Sequence, residues 1–193
     1  MNVSILRNIC GIDEAGRGCL AGSLFVCGVI LKEEIPHTLK KEIKDSKKLS
    51  EKKRNFIAPK IKEFCNFYLV QKTPQEIDNG GLSLCLKESL QAILKHLKAS
   101  EYIFDGNCKF GITSLQTLIK GDSKLLSISV ASILAKYAKD QEMRTLDKLY
   151  PSYDFKNNKG YGSQAHLRAI QEYGYCEFHR RSYHIKAIPN NNQ

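Results

Sequence analysis

The sequence predicts an α/β domain built on a mixed β-sheet flanked by helices. Apolar segments rich in β-branched residues alternate along the chain with longer segments whose leucines repeat at helical spacing. The first two apolar segments are joined by a short glycine-containing connection, which predicts an antiparallel hairpin. A chain of 193 residues can form one such domain with a substantial core. We expect it to span residues 1–186 and to be followed by a disordered polar tail, residues 187–193.

The first half of the chain predicts three strands and one helix. RNICGID (7–13) and GSLFVCGVIL (22–31) are the expected hairpin strands, and the second is apolar enough to be a central strand. A helix is expected to begin after Ser50, although Pro59 should kink or delay it. FCNFYLVQ (64–71) predicts the third strand.

The second half opens with a helix and a strand. Leucine and isoleucine residues recur at helical spacing over 81–99, and EYIFDG (101–106) has the composition of a short strand. The segment 121–150 predicts one long helix that is capped by Asp122 or Ser123.

That long helix carries small residues that should let it pack closely on the sheet. They are Ser127, Ser129, Ala131, Ser132 and Ala135. The turn-rich stretch YPSYDFKNNKGYGS follows, and a final helix is expected over about 163–173.

Composition narrows the class of protein. The net charge of +10 favours an anionic partner, most commonly nucleic acid, although a basic surface without a specific partner remains an alternative. The seven cysteines are scattered without a CxxC pair, which argues against a disulfide framework or a zinc site and favours a reducing cytoplasm. The longest apolar stretch, 19–31, is shorter than the roughly 20 residues of a membrane span and lacks the basic start of a secretory signal.

Four acidic residues stand where elements begin or end, next to a glycine or a cap: Asp13, Glu14, Asp105 and Asp122. Carboxylates gathered at such an edge repel one another unless a cation neutralises them, and their oxygens suit Mg²⁺ or Mn²⁺. Two such ions about 4 Å apart are a known arrangement for phosphodiester hydrolysis. Each acid taken singly also has a structural explanation as a cap or a strand end.

The adjacent pair raises a geometric condition. Neighbouring residues of a strand point to opposite faces of the sheet. Asp13 and Glu14 can therefore serve one site only if the strand breaks into its turn there, or if Glu14 contributes partly through its backbone.

Six segments in this order resemble ribonuclease HII: GIDEAGRG, DSKKLS, FDGN, KGDSKLLSISVASILAKYAKD, NKGYGS and HRRSY. The resemblance runs from about residue 9 to 183. It implies a ribonuclease H-like fold and endonucleolytic cleavage of RNA in RNA–DNA hybrids. It also implies cleavage 5′ to single ribonucleotides embedded in duplex DNA, leaving 3′-hydroxyl and 5′-phosphate ends, by a monomeric enzyme that does not act at a membrane.

The resemblance also implies roles for individual residues. The four acids would bind the metal, with two ions during catalysis. The loop of Gly16, Arg17 and Gly18 would read the ribose 2′-hydroxyl through its backbone, and Tyr161 would pack on the sugar that follows the ribonucleotide. Three basic residues would contact phosphates: Lys47, Arg180 and Arg181.

The five histidines have no metal-binding or catalytic-triad spacing and are interpreted as structural or surface residues. Two alternatives remain. Ribonuclease HIII would carry an additional N-terminal domain, and the segment before Asp13 is short. A catalytically inactive nucleic-acid-binding module would not need a cluster of carboxylates facing phosphate.

Overall fold

A five-stranded mixed sheet forms the centre of the computed structural model, which describes residues 8–32, 34–44 and 49–184. The strands are β1 (Ile9–Ala15), β2 (Leu24–Leu31), β3 (Cys65–Lys72), β4 (Glu101–Asp105) and β5 (Leu115–Leu118). Their order across the sheet is β3-β2-β1-β4-β5. The pairs β1–β2 and β2–β3 are antiparallel, whereas β1–β4 and β4–β5 are parallel. The predicted hairpin and mixed sheet are thus confirmed.

Helices cover both faces of this sheet. They are α1 (His37–Lys44), α2 (Glu51–Glu63), α3 (Pro74–His96), α4 (Leu126–Leu149), α5 (Phe155–Asn158) and α6 (Gln164–Tyr173). Helices α1, α2 and α4 pack on one face and α3 on the other. The interior strand β2 is buried on both sides: Phe25 and Cys27 pack toward α4, and Leu24 and Val26 pack toward α3.

The contact between α4 and β1 is close because small residues meet there. A Cβ atom on Gly11 would lie 2.4 Å from the backbone nitrogen of Ile128 and 2.4 Å from the hydroxyl of Ser127. The predicted close packing of the small-residue stretch on the sheet is therefore confirmed.

Several boundaries differ from the prediction. The long helix begins at Leu126, not at 121, and neither Asp122 nor Ser123 caps it, because residues 121–123 form a separate 3₁₀ turn. Helix α3 begins earlier than predicted, at Pro74, because Thr73 and Glu76 form a capping box. Gly81 has a φ of +77° and marks a kink inside α3.

A third apolar cluster joins the end of α4 to α5 and α6. The segment 176–183 lies against this cluster and returns to the residues between β1 and β2, since Ala21 pairs with His179 in an isolated antiparallel bridge. All seven cysteines are free, and all except Cys108 are buried. Among the described residues, no helix combines the length and apolar character needed to cross a membrane. The predicted tail, 187–193, lies outside the described residues.

Candidate functional site

Two of the four acids lie side by side where β1 and β4 end, and a turn places the third beside one of them. These strands are parallel, and Ile12 pairs with Phe104, so the next residues along them, Asp13 and Asp105, lie side by side at the carboxyl edge of the sheet. Both oxygens of the Asp105 carboxylate accept hydrogen bonds from the 3₁₀ turn, from the backbone nitrogen of Gly121 at 3.1 Å and of Asp122 at 3.2 Å. The turn thereby brings Asp122 next to Asp105.

The strand does not break at the acidic pair, so the first of the two conditions stated for Asp13 and Glu14 is not met and the backbone contribution of Glu14 remains. β1 continues to Ala15, and Glu14 pairs in register with Val26 of β2. The backbone nitrogen of Glu14 donates a hydrogen bond to Asp13 Oδ1 at 2.8 Å. The Glu14 side chain approaches the following loop, with 3.6 Å between its Oε1 and Arg17 Nη1.

Burial perturbs both carboxyls of the pair. Burial raises the pKa of Asp13 from 3.8 to about 6, although a hydrogen bond from Ser132 and the charge of Lys136 oppose the rise. Burial and the neighbouring Asp13 raise the pKa of Glu14 from 4.5 to about 7, against the opposing charge of Arg17. Two carboxyls that resist ionisation without a neutralising charge are suited to bind a cation.

The donor set fits a hard divalent cation. All four candidate ligands supply carboxylate oxygens, and the buried Oε2 of Glu14 makes no hydrogen bond. The arrangement is open: in the described part of the chain, no three His, Cys, Asp or Glu side chains converge closely enough to enclose an ion.

A groove adjoins the acids and contains both predicted substrate-reading elements. Glu14, the loop of Gly16, Arg17 and Gly18, and the half-exposed Tyr161 line it together. Four further basic residues line the same groove, and sequence analysis missed them: Arg54, Lys136, Lys139 and Lys159. Lys136 and Lys139 are three residues apart, a spacing that places both on one face of the predicted helix and could have revealed them.

The fold requires glycine at only one of the two glycine positions of the loop. Gly16 has a φ of +94°, and a Cβ atom there would lie 2.6 Å from the carbonyl oxygen of Ser23, so the fold itself requires glycine. A Cβ atom on Gly18 would meet nothing within 4 Å. The fold therefore does not explain Gly18.

The three predicted phosphate contacts lie in different environments. Arg180 is only 1% exposed and donates hydrogen bonds to the carbonyl oxygens of Arg17 and Gly22, so its guanidinium faces the protein backbone and not the groove. Arg181 is exposed, and its backbone nitrogen donates to Asp78. Lys47 lies outside the described residues.

Comparison with known proteins agrees with this geometry. The family model described as ribonuclease HII matches residues 10–186. The chain is 43% identical over 182 residues to the ribonuclease HII of Sulfurovum sp., covering 94% of both chains. The ribonuclease HII in a PCNA complex from Archaeoglobus fulgidus superposes with a TM-score of 0.78 at 26% identity, covering 92% of this chain and 96% of that one.

A more distant solved structure, a Bst ribonuclease HIII in complex with Mn²⁺, shares the fold with a TM-score of 0.63 at 20% identity over 88% of this chain and 64% of that one. The five-stranded mixed sheet with helices on both faces is thus the ribonuclease H-like fold of these neighbours. Since the family model spans nearly all of the described residues, the chain belongs to the ribonuclease HII family.

Proposed function

We propose that the protein hydrolyses the phosphodiester 5′ to a ribonucleotide embedded in duplex DNA, leaving 3′-hydroxyl and 5′-phosphate ends. Membership of the family makes it a divalent-metal-dependent ribonuclease H-type endonuclease of RNA–DNA hybrids. The proposal adds the position of the cut and the preference for an isolated ribonucleotide.

One observation carries the proposal: Glu14, the glycine loop and Tyr161 line one groove. An embedded ribonucleotide has two distinguishing features, a 2′-hydroxyl and a junction with deoxyribose on its 3′ side. The open main chain at Gly18 leaves room for a sugar to approach, and the exposed ring of Tyr161 offers an apolar surface to the next sugar. The glycine loop and Tyr161 would thus contact two successive sugars next to the acids. This arrangement supports a cut at the ribonucleotide itself.

We infer that Asp13, Glu14, Asp105 and Asp122 would hold Mg²⁺ or Mn²⁺, with two ions during catalysis. A bound ion of this kind supplies a nucleophilic water at neutral pH and stabilises charge on the phosphate. The chain's own residues prepare the site. The backbone of the 3₁₀ turn orients Asp105, and the backbone of Glu14 orients Asp13.

The basic residues of the groove differ in how they can meet a phosphate. Arg54 and Lys159 are ion-paired with Asp140 at 2.8 Å and with Glu51 at 2.7 Å, and Lys139 is buried. Lys136 is therefore the groove residue best placed to neutralise a phosphate beside the ribonucleotide. Lys139 also lies with its Nζ 3.9 Å from the ring centroid of Tyr161, which restrains the ring by a cation–π contact.

The test uses a labelled DNA duplex with one ribonucleotide, with Mg²⁺ or Mn²⁺, beside an all-DNA duplex. We expect a single cut 5′ to the ribonucleotide and none in the all-DNA duplex. Asp105→Asn should lower kcat by at least about 100-fold while duplex binding persists, because it removes a ligand charge and not a phosphate contact. Glu63→Gln, at an exposed position of α2, is the matched control and should cut normally.

Full activity of Asp105→Asn would contradict the assignment of the site. Salt-sensitive binding by the wild type without any cut would instead indicate a nucleic-acid-binding module.

A further inference from the structure

The segment 176–183 contacts the glycine loop directly and is joined to the Tyr161 loop through His166. Its consecutive residues His179 and Arg180 are 2% and 1% exposed. The Arg180 side chain reaches the glycine loop, and the His179 side chain reaches the Tyr161 loop through a second histidine.

The Arg180 contacts converge on one carbonyl of the glycine loop. Its Nη1 donates to the carbonyl oxygen of Arg17 at 3.1 Å, and the hydroxyl of Tyr183 donates to the same oxygen at 2.8 Å. Nη1 also donates to the hydroxyl oxygen of Tyr183 at 3.1 Å, and Nε and Nη2 donate to the carbonyl oxygen of Gly22 at 3.0 and 2.9 Å. A buried guanidinium fixed on both sides of the loop leaves the main chain of Arg17 and Gly18 little freedom.

The His179 contacts end on the carbonyl of Tyr161. The backbone nitrogen of Cys176 donates to His179 Nδ1 at 3.0 Å, so the proton of the neutral ring is on Nε2. That nitrogen lies 3.1 Å from Nε2 of His166, which must accept, and His166 Nδ1 therefore donates to the carbonyl oxygen of Tyr161 at 2.8 Å. Burial lowers the pKa of His179 to about 4 and lowers that of His166 as well, which keeps both rings neutral in this arrangement.

Backbone hydrogen bonds join the two elements directly. The carbonyl oxygen of Gly160 accepts from the backbone nitrogens of Leu20 at 2.7 Å and Ala21 at 3.2 Å. The backbone nitrogen of Arg180 donates to the carbonyl oxygen of Leu20 at 2.8 Å. The glycine loop, the Tyr161 loop and the segment 176–183 therefore form one hydrogen-bonded unit.

We propose that Arg180 and the His179–His166 pair are positioning residues that hold the two substrate-reading loops in one preorganised frame. Arg180 acts through the carbonyl of Arg17, and the histidine pair acts through the carbonyl of Tyr161. The inference rests on the proposed function, because it assigns a role to residues that touch the two loops and not the substrate. Loosening either contact should weaken recognition of the ribonucleotide more than the chemical step.

Variants of the Arg180 contact test the first half of the proposal. Tyr183→Phe removes one donor to the Arg17 carbonyl at a half-buried position, and Arg180→Lys replaces the fork by a single ammonium. Each should raise KM about tenfold with little change in kcat, the loss expected of one strong hydrogen bond. The increase should be the same for a single embedded ribonucleotide and for a long hybrid. Arg168→Lys, at an exposed position of α6, is the matched control.

Variants of His166 test the second half of the proposal, the hydrogen bond to the Tyr161 carbonyl. One variant keeps a donor at this position and the other removes it. Asn places its amide nitrogen near the position of Nδ1, whereas Gln places its amide near Nε2. His166→Asn should keep the donor to the Tyr161 carbonyl and retain the preference for an embedded ribonucleotide over a long hybrid. His166→Gln should lose that donor and reduce the preference about tenfold. His37→Gln, at an exposed position of α1, is the control.

Thermal melting of every variant identifies those that remain folded, and Tyr183→Phe decides the first half if Arg180→Lys does not fold. Folded Tyr183→Phe and His166→Gln variants with wild-type KM and wild-type preference would overturn the proposal. A wild type that does not cut at the ribonucleotide would contradict the proposed function instead, so the two failures are distinct.

Discussion

At the scale of single residues, Asp13 and Glu14 are buried carboxyls at the proposed cation site. The fold places two adjacent carboxyls where water is largely excluded, and their pKa values rise to about 6 and about 7. Charging them costs the folded state free energy that a divalent cation can restore.

The first prediction concerns stability against pH. Between about pH 4 and 7 the folded protein binds more protons than the unfolded chain, so without metal the free energy of unfolding should fall as pH rises through this window. A pKa difference of about two corresponds to on the order of 3 kcal/mol for Asp13. Urea denaturation across this range, without metal, measures the fall.

Asp13→Asn should flatten this dependence and raise stability near pH 7.5, while abolishing cleavage. Mn²⁺ should raise the Tm of the wild type more at pH 8 than at pH 5. A Tm increase that is equal at both values, or equal in Asp13→Asn, would argue against cation binding by these carboxyls.

The second prediction separates the roles of the loop residues. Gly16→Ala should destabilise the fold, because its φ of +94° and its contact with Ser23 leave no room for a side chain. Gly18→Ala should melt like the wild type yet raise KM at least about tenfold if main chain reads the sugar. Arg17→Ala should reduce activity less than either glycine variant. Steady-state kinetics and melting curves measure both effects, and a larger loss for Arg17→Ala than for Gly18→Ala would contradict backbone reading.

At the scale of elements, the contact between α4 and β1 determines where the acids lie. Helix α4 presents small residues to the strand, which lets Ser132 and Lys136 reach Asp13. The 3₁₀ turn before α4 delivers Asp122 to Asp105. The 3₁₀ turn before α4 and the ends of two strands thus bring the acids together.

The third prediction tests this contact. Gly11→Ala would bring a methyl group within 2.4 Å of the backbone of α4, and either the helix or the strand must shift. We expect a loss of about 1–3 kcal/mol in the free energy of unfolding, together with reduced cleavage. Urea denaturation of this variant beside Gly18→Ala, where no atom lies near the added methyl, measures the difference. Equal stability of the two alanine variants would show that the contact is not tight.

At the scale of the whole molecule, the net charge of +10 comes from basic residues with different roles in substrate binding. Four basic residues missed in the sequence line the groove beside the acids. The remaining positive charge assists association at long range but should not determine where the substrate is bound.

The fourth prediction follows from that distinction. Binding of the ribonucleotide-containing duplex without metal should weaken with salt, with a slope of log K against log salt of about −0.9 for each neutralised phosphate. Lys136→Met should reduce the magnitude of this slope by about 1, whereas Lys95→Met, exposed at the end of α3, should leave it unchanged. Fluorescence anisotropy across salt concentrations measures the slopes, and equal slopes for both variants would contradict a phosphate contact at Lys136.

The sequence by itself determined which residues could perform the chemistry. Its apolar periodicity located the hairpin and most helices, because burial on one face imposes that periodicity locally. The ordered motifs identified the acids, the glycine loop and Tyr161 as candidates. Ser50 was readable as a helix start because a cap depends on only a few neighbouring residues.

Only the tertiary structure decided how these residues are held. Strand β5 is too short to have a distinct pattern, and Asp122 resembled a helix cap although it lies in a separate turn. Arg180 resembled a phosphate contact, yet it is buried against the carbonyl of Arg17, 163 positions away in the chain. A contact between such distant residues leaves no local periodicity in the sequence, since it arises from the packing of the whole sheet and its helices.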